Sequence, residues 1–507
     1  MHRPSPRRRA NGGYSSFCRL LAGIAGLTPA LGAIAPCAQA QAAAPRSLVA
    51  EVAVEHYLEV APQSVRIERD PISGDLHYLT FQGDVYQILS PADGQPRDSL
   101  IATAEDHGVT RLQGIVFADS TLFLVGNVAV NEGKGTRGRM MAGKLEPNGT
   151  RSWSVVFMTD EIGSTRTTFD HGFNGITLSP DRRYLFVNSG ARTDHGEVQD
   201  NDGAYPNSRD EPLTASIFRI PAEARDVHLR NDLADLEQRG FVYARGLRNA
   251  YDLAFSPNGH LFAVSNSSDY DHPEDMFWIR EGHHYGFPWV MGNVDNPQQY
   301  PDFTADPEAD PFLNHRSHAM VMGYFRHDPD FPKRPSDLVI TPPVANVGPD
   351  ADEYRDPETG TVRDGSESRV AIGTFTAHSS PLGLFFDADS VLAPPYRGDG
   401  FVLRWTLGSN SGLMGPISPL GSDLLHLRLL YSPGFDNYIV QTTRIADGFR
   451  GPVDAELVGN EVYVIEYGRS GNVWKLTFPS APRASVGAGP PPSGAKCGSA
   501  LGGAGAE

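Results

Sequence analysis

Four short polar clusters in this 507-residue chain carry side chains suited to proton transfer and to anion binding: Asp170-His171, Arg248-Asn249, His378-Ser379-Ser380 and Arg450. A histidine in such a place serves either structure or proton transfer, because imidazole changes charge near neutral pH. A guanidinium fork grips carboxylates through paired hydrogen bonds, so Arg248 and Arg450 suit an anionic ligand. Each cluster stands immediately before an apolar run. In a protein of net charge −18, cations collected at one place would be a specific feature and not a general property of the surface.

The runs that must position these clusters share one pattern. After Arg248-Asn249, the apolar Leu253-Ala254-Phe255 leads through Pro257-Asn258-Gly259 into Leu261–Val264. Proline presets φ, and Asn-Gly tolerates the reversal, so this is a hairpin. The same strand, turn, strand unit recurs at Val65–Phe81, Gly114–Val125, Gly175–Asn188, Gly383–Trp405 and Val453–Glu466, with a shorter third strand in most copies. Six radially repeated meanders are how a long all-β chain avoids open edges, which predicts a six-bladed β-propeller with long inserted loops. An assembly of β-sandwiches is the alternative, but it would not need one turn pattern six times. Counted this way, Asp170-His171 precede the third blade, Arg248-Asn249 the fourth, His378-Ser379-Ser380 the fifth and Arg450 the sixth. The inserts at 193–212, 293–314 and 346–368 are acidic and rich in Pro and Gly, and read as solvated loops. None has the spaced Asp-Asp-Asp-Gly…Glu pattern of a calcium loop.

The 53 glycines and 40 prolines fit a β-rich protein with many turns. The acidic charge argues against nucleic acid as a partner. Residues 1–42 read as an export signal: Arg3 and Arg7-Arg8-Arg9, then the weakly apolar Leu20–Ile34, then Ala38-Gln39-Ala40 as a cleavage site. No later stretch is long and apolar enough to span a membrane, which predicts a periplasmic or secreted protein. Of Cys18, Cys37 and Cys497, only the last would remain after cleavage, so no internal disulfide is expected. The expected division is signal 1–42, propeller 43–479 and a disordered Gly/Pro/Ala tail 480–507.

Longer stretches resemble the PQQ-dependent glucose/sorbosone dehydrogenase family of soluble quinoproteins. They are DHGFNGITLSPDRRYLFVNSG from Asp170, GLRNAYDLAFSPNGHLF from Gly246, EGHHYGFP from Glu281, HSSPLGLFF from His378, YRGDGFVLRW from Tyr396 and RGPVDAELVGNEVYVIEYGRSGNVWKL from Arg450. The resemblance implies a six-bladed propeller with pyrroloquinoline quinone (PQQ) over the channel mouth, held by arginines and Ca2+. It implies oxidation of a sugar or other polyol by hydride transfer to the quinone, with an external electron acceptor. His171 then matches the general base, Arg248 a catalytic and quinone-contacting arginine, and Asn249 and Arg450 further quinone contacts. Arg404 is the nearest cation where some relatives use a lysine. Ser189-Gly190-Ala191 stands where the family has an acid, with Asp194 next. SSDYDH from Ser267 replaces a Gly-Pro calcium loop, which leaves Asp269 and Asp271 as the metal-ligand candidates.

Those differences keep two other readings open. One is a binding propeller that retains the fold without the cofactor. The other is a metal-dependent propeller lactonase, suggested by the surplus of Asp, Glu and His. Fold alone does not choose among them.

Overall fold

The computed structural model describes residues 44–481 apart from 91–93, 166, 202 and 406–420. The export signal and all but the first two residues of the expected tail lie outside the described residues. Six sheets are arranged around one axis, antiparallel except where Val227–Leu229 and Ala345–Pro349 add a parallel strand to blades two and five. Their innermost strands are Ser64–Arg69, Arg111–Ala118, Phe173–Leu178, Ala250–Phe255, Pro381–Phe386 and Pro452–Val458. Each neighbours the next, and the sixth returns to the first. The six-bladed propeller is therefore the observed fold.

The blades are fuller than the sequence pattern suggested. Blades one and three have four strands, and blade two adds two short strands to its four. In blade five the long hairpin Asp423–Ser432 and Asn437–Asp447 lies outside Gly400–Arg404 and makes most of the sheet. Blade four keeps only three strands. The strand Ala53–Val60, which precedes the first of the six repeated units, pairs with Gly471–Thr477 and becomes the outer strand of blade six. Blade six is thus built from both ends of the folded chain. That pairing closes the ring through ladder hydrogen bonds and leaves no open first blade.

Bulged registers recur at the start of all six inner hairpins, as between Phe173 and Ile176, Ala250 and Asp252, and Pro381 and Leu384. A bulge bends the strand and re-aims its side chains, here at the end where the polar clusters stand. The apolar cores lie between neighbouring blades, as where Phe173 packs between Phe157 and Phe218.

On the axis a cavity of about 250 Å³ is lined by Arg66, Glu68, Asp252, Asp454 and Glu456 together with inner-strand backbone. Arg66 ties four elements there. Its Nε donates to Gln113 O at 2.8 Å, its Nη1 lies 3.2 Å from Asp252 and 3.7 Å from Asp454, and its guanidinium covers the Tyr251 ring. Burial pushes the carboxyl of Asp454 up to about 7 and that of Glu456 to about 8. None of the helices among the described residues is long and apolar enough to cross a membrane.

The ring closure is testable. Val60 is the buried end of the closing strand, whereas Ala53 is exposed. Val60→Asp should lower the unfolding free energy by about 2–4 kcal/mol in a urea titration, and Ala53→Asp should change it by less than about 0.5 kcal/mol.

Candidate functional site at the propeller mouth

The four polar clusters meet at one mouth because each occupies the N-terminal end of an inner strand. Side-chain amides link these ends across blades. Asn127 of blade two exchanges hydrogen bonds with Phe173 N and O. Asn174 Nδ2 donates to Asn249 Oδ1 at 2.9 Å, Asn249 Nδ2 donates to Asn266 Oδ1 at 3.0 Å, and Asn266 Nδ2 donates to Pro381 O at 3.0 Å. An amide both donates and accepts, so it can be one link in a chain that fixes blades two to five in register.

His171 sits beside this belt. Its Nδ1 donates to Ala191 O at 3.1 Å, which leaves the Nε2 lone pair free to accept. Burial, followed by the Arg248 charge, lowers its pKa to about 3, so the ring is neutral across the ordinary pH range. Gly190 is required here. A Cβ at that position would lie 2.7 Å from His171 Cβ and 3.1 Å from Asn249 Oδ1.

Arg248 is held by the first insert. Its Nε donates to Asp194 O at 2.7 Å, Nη2 to Asp194 Oδ1 at 2.9 Å, and Nη1 to Asn266 O at 3.2 Å. Asp194 is fully buried and also accepts from His195 Nδ1 at 2.8 Å and from Asp269 N. Burial pushes the Asp194 carboxyl up, but the His195 hydrogen bond and the Arg248 charge outweigh it, so it stays below the usual carboxylate range. The first insert is therefore not a solvated loop, whereas residues 299–312 of the second are exposed or half-exposed. Thr193, Asp194, His195, Glu197 and Gln199 are buried, and Phe325 from a later loop stacks on His195 at 4.4 Å.

Asp271 is taken up in a second ionic cluster. Arg355 donates to its Oδ2 through Nε at 2.8 Å and Nη2 at 2.6 Å, and His378 Nε2 lies 2.5 Å from Oδ1. His378 adopts φ 59°, a left-handed conformation costly for a residue with a side chain, and the Asp271 contact holds it there. Burial opposes its charge, but Asp271 wins and raises its pKa to about 9. Asp269 Oδ2 accepts from Ala319 N at 2.8 Å, and burial with the Asp194 charge pushes its carboxyl up to about 6. Asp269 Oδ2 and both oxygens of Asp271 thus face protein donors. Among the described residues, no three His, Cys, Asp or Glu side chains are arranged to hold a metal ion. Calcium does not fit these two residues as they are placed.

The donors do suit an anionic quinone. Arg404 pairs with buried Asp423 through Nε at 2.9 Å and Nη2 at 2.6 Å, while its buried Nη1 has no acceptor among the described residues. The exposed Arg450 side chain makes no ion pair with them either. Arg248 spends three of its roughly five N–H groups on the protein. Sequence reasoning missed Arg192, a buried cation that pairs with Asp170 and whose Nε and Nη2 have no acceptors among the described residues. It also missed Arg355, whose partner Asp271 lies 84 residues away.

No protein-family model matches the chain, and no curated protein matches it in sequence. Solved structures do. A glucose dehydrogenase is 14% identical with a TM-score of 0.51, over 83% of this chain and 99% of that one. Another glucose dehydrogenase is 13% identical with a TM-score of 0.50, over 83% and 98%. The soluble aldose sugar dehydrogenase of Escherichia coli, in its apo form, is 14% identical with a TM-score of 0.50, over 84% and 99%. At such identities the likeness establishes a shared fold.

Two outcomes follow from the mouth's ion pairs. Arg248→Met strands a buried carboxylate and should destabilise by about 3–5 kcal/mol, and adding Asp194→Asn should recover more than half of that in a double-mutant cycle. His378 binds its proton more tightly folded, near 9, than at its ordinary value of 6.5. Its contribution is therefore complete below pH 6.5 and lost as pH rises through 9. The thermal midpoint should fall over that window, and fall less in His378→Asn.

Proposed function

We propose that this protein is an exported oxidoreductase that oxidises a sugar or other polyol with PQQ as cofactor and passes electrons to an external acceptor. The observation that carries this reading is the meeting of His171, Arg248, Asn249, Arg404 and Arg450 at the mouth of a propeller whose fold is that of sugar dehydrogenases. Residues 1–42 supply the sequence support for export.

When bound, PQQ supplies a two-electron acceptor for the substrate hydride. The chain's own residues do the rest. His171 Nε2 keeps its lone pair because Nδ1 is committed to Ala191 O, so it takes the proton of the hydroxyl undergoing oxidation. Asp170 and Asp194 favour the imidazolium once it forms. Spare N–H groups on Arg248, Arg404 and Arg450 bind carboxylates and stabilise negative charge that develops beside them. Asn249, fixed by Asn174 and Asn266, offers an oriented amide. No step is assigned to calcium.

The test is a titration of purified protein with micromolar PQQ, with and without calcium, followed by dye reduction on aldoses. One quinone per chain and aldose-dependent reduction are expected. His171→Ala should keep the quinone and lose about 10²-fold or more in turnover. Arg450→Ala, at an exposed position without an ion pair, should leave the thermal midpoint unchanged and weaken quinone retention by about tenfold. Absence of quinone uptake would favour the cofactor-free binding propeller, and lactone hydrolysis without quinone would favour the hydrolase.

A further inference from the structure

The EGHHYGFP segment has a second consequence, away from His171. Its residues 283–285 run beside Arg245 at the outer edge of blade three, where Arg245 N donates to His283 O at 3.1 Å and Tyr285 N donates to Arg245 O at 2.8 Å. Between this seam and the first insert lies a cavity of about 220 Å³, lined by Arg245, His284, Phe287, Pro288, Trp289 and Arg209 among others.

We propose that this cavity is a binding site for a small organic carboxylate. The half-buried Arg245 guanidinium makes no hydrogen bond or ion pair with the described residues. His284 Nδ1 accepts from Gly286 N at 3.1 Å, so the ring proton sits on Nε2, a second donor with no acceptor among them. The imidazole is seated deliberately. It lies against Gly246, where a Cβ would come within 2.3 Å of His284 Cε1 and where φ is +78°. Burial, Arg245 and Arg334 together lower His284 to about 4, so it remains a neutral donor beside two cations.

The acids on the opposite wall are engaged elsewhere. Asp210 accepts from Arg192 N at 2.6 Å and Thr214 Oγ1 at 3.0 Å, and also from Thr193 Oγ1. Glu211 accepts from Asn231, and Arg209 pairs with Asp328. A half-buried guanidinium and an imidazole N–H that face one cavity are served by water while it is empty, and an anion that displaces that water gains charge-assisted hydrogen bonds from both. With the neighbouring acids committed to other donors, that anion comes from outside the chain. The geometry selects a carboxylate over a bare phosphate. The Arg245 fork binds two oxygens while Phe287, Pro288 and Trp289 offer an apolar wall that phosphate alone would leave unused.

Benzoate is the probe, titrated into the full chain by calorimetry and by tryptophan fluorescence, with inorganic phosphate as competitor. We expect saturable binding with a dissociation constant on the order of 1 mM or tighter. Arg245→Met should weaken it at least about tenfold, and Arg245→Lys, which keeps the charge without the fork, should lie between. Trp289→Leu should weaken benzoate but not acetate. His284→Leu serves as a second variant if Arg245→Met fails to fold, and should weaken benzoate severalfold. Quinone retention should be unchanged in each, which separates this site from the mouth. Absent binding, binding indifferent to Arg245, or equal competition by phosphate would overturn the assignment.

Discussion

The mouth depends on one buried carboxylate. Asp194 receives Arg248 on its carbonyl and on Oδ1, His195 on Oδ2, and the backbone N–H of Asp269. Those contacts join the first insert, the start of blade four and the segment that follows Val264. A charge with no exposure is tolerable only when its lone pairs are occupied this fully, so the surrounding geometry is constrained as a unit. Moving Arg248 would strand Asp194. Moving Asp194 would free Arg248 and unseat the backbone of Asp269.

That constraint shapes what the mouth can do. Negative charge near the mouth is balanced by cations from the same chain: Arg248 on Asp194, Arg355 and His378 on Asp271, Arg404 and Arg444 on Asp423. Calcium would have to displace these partners to be ligated by Asp269 and Asp271. Meanwhile Arg404 Nη1 and both Arg192 Nε and Nη2 are buried without acceptors among the described residues. Unpaired donors under a rim that holds a neutral imidazole are a better match to an anionic, planar guest than to a cation.

How much of this the sequence revealed follows from the range of each interaction. Blades were legible because turns are local: Pro257-Asn258-Gly259 states its own geometry, and apolar alternation flanks it. Ala53–Val60 was not, because an outer strand with one face in water carries little apolar pattern, and its partner lies more than 400 residues away. His171 and Arg248 could be placed at the mouth from their position before a strand. What they touch could not. The first insert resembled a solvated loop because Asp194 finds its cation 54 residues later, and the pairing of Asp271 was hidden likewise because Arg355 lies 84 residues on; no local signal announces such pairs. Arg404 looked like a free cation for the same reason, although Asp423 holds two of its nitrogens.

The most direct measurement is a crystal structure of the protein grown with PQQ. The account predicts the quinone over the axis at the mouth, its carboxylates on arginine N–H groups that include Arg404 or Arg450, with His171 Nε2 facing the substrate side and the Asp194–Arg248 pair intact. An empty mouth at saturating quinone, or a quinone bound only after Asp194 releases Arg248, would contradict it.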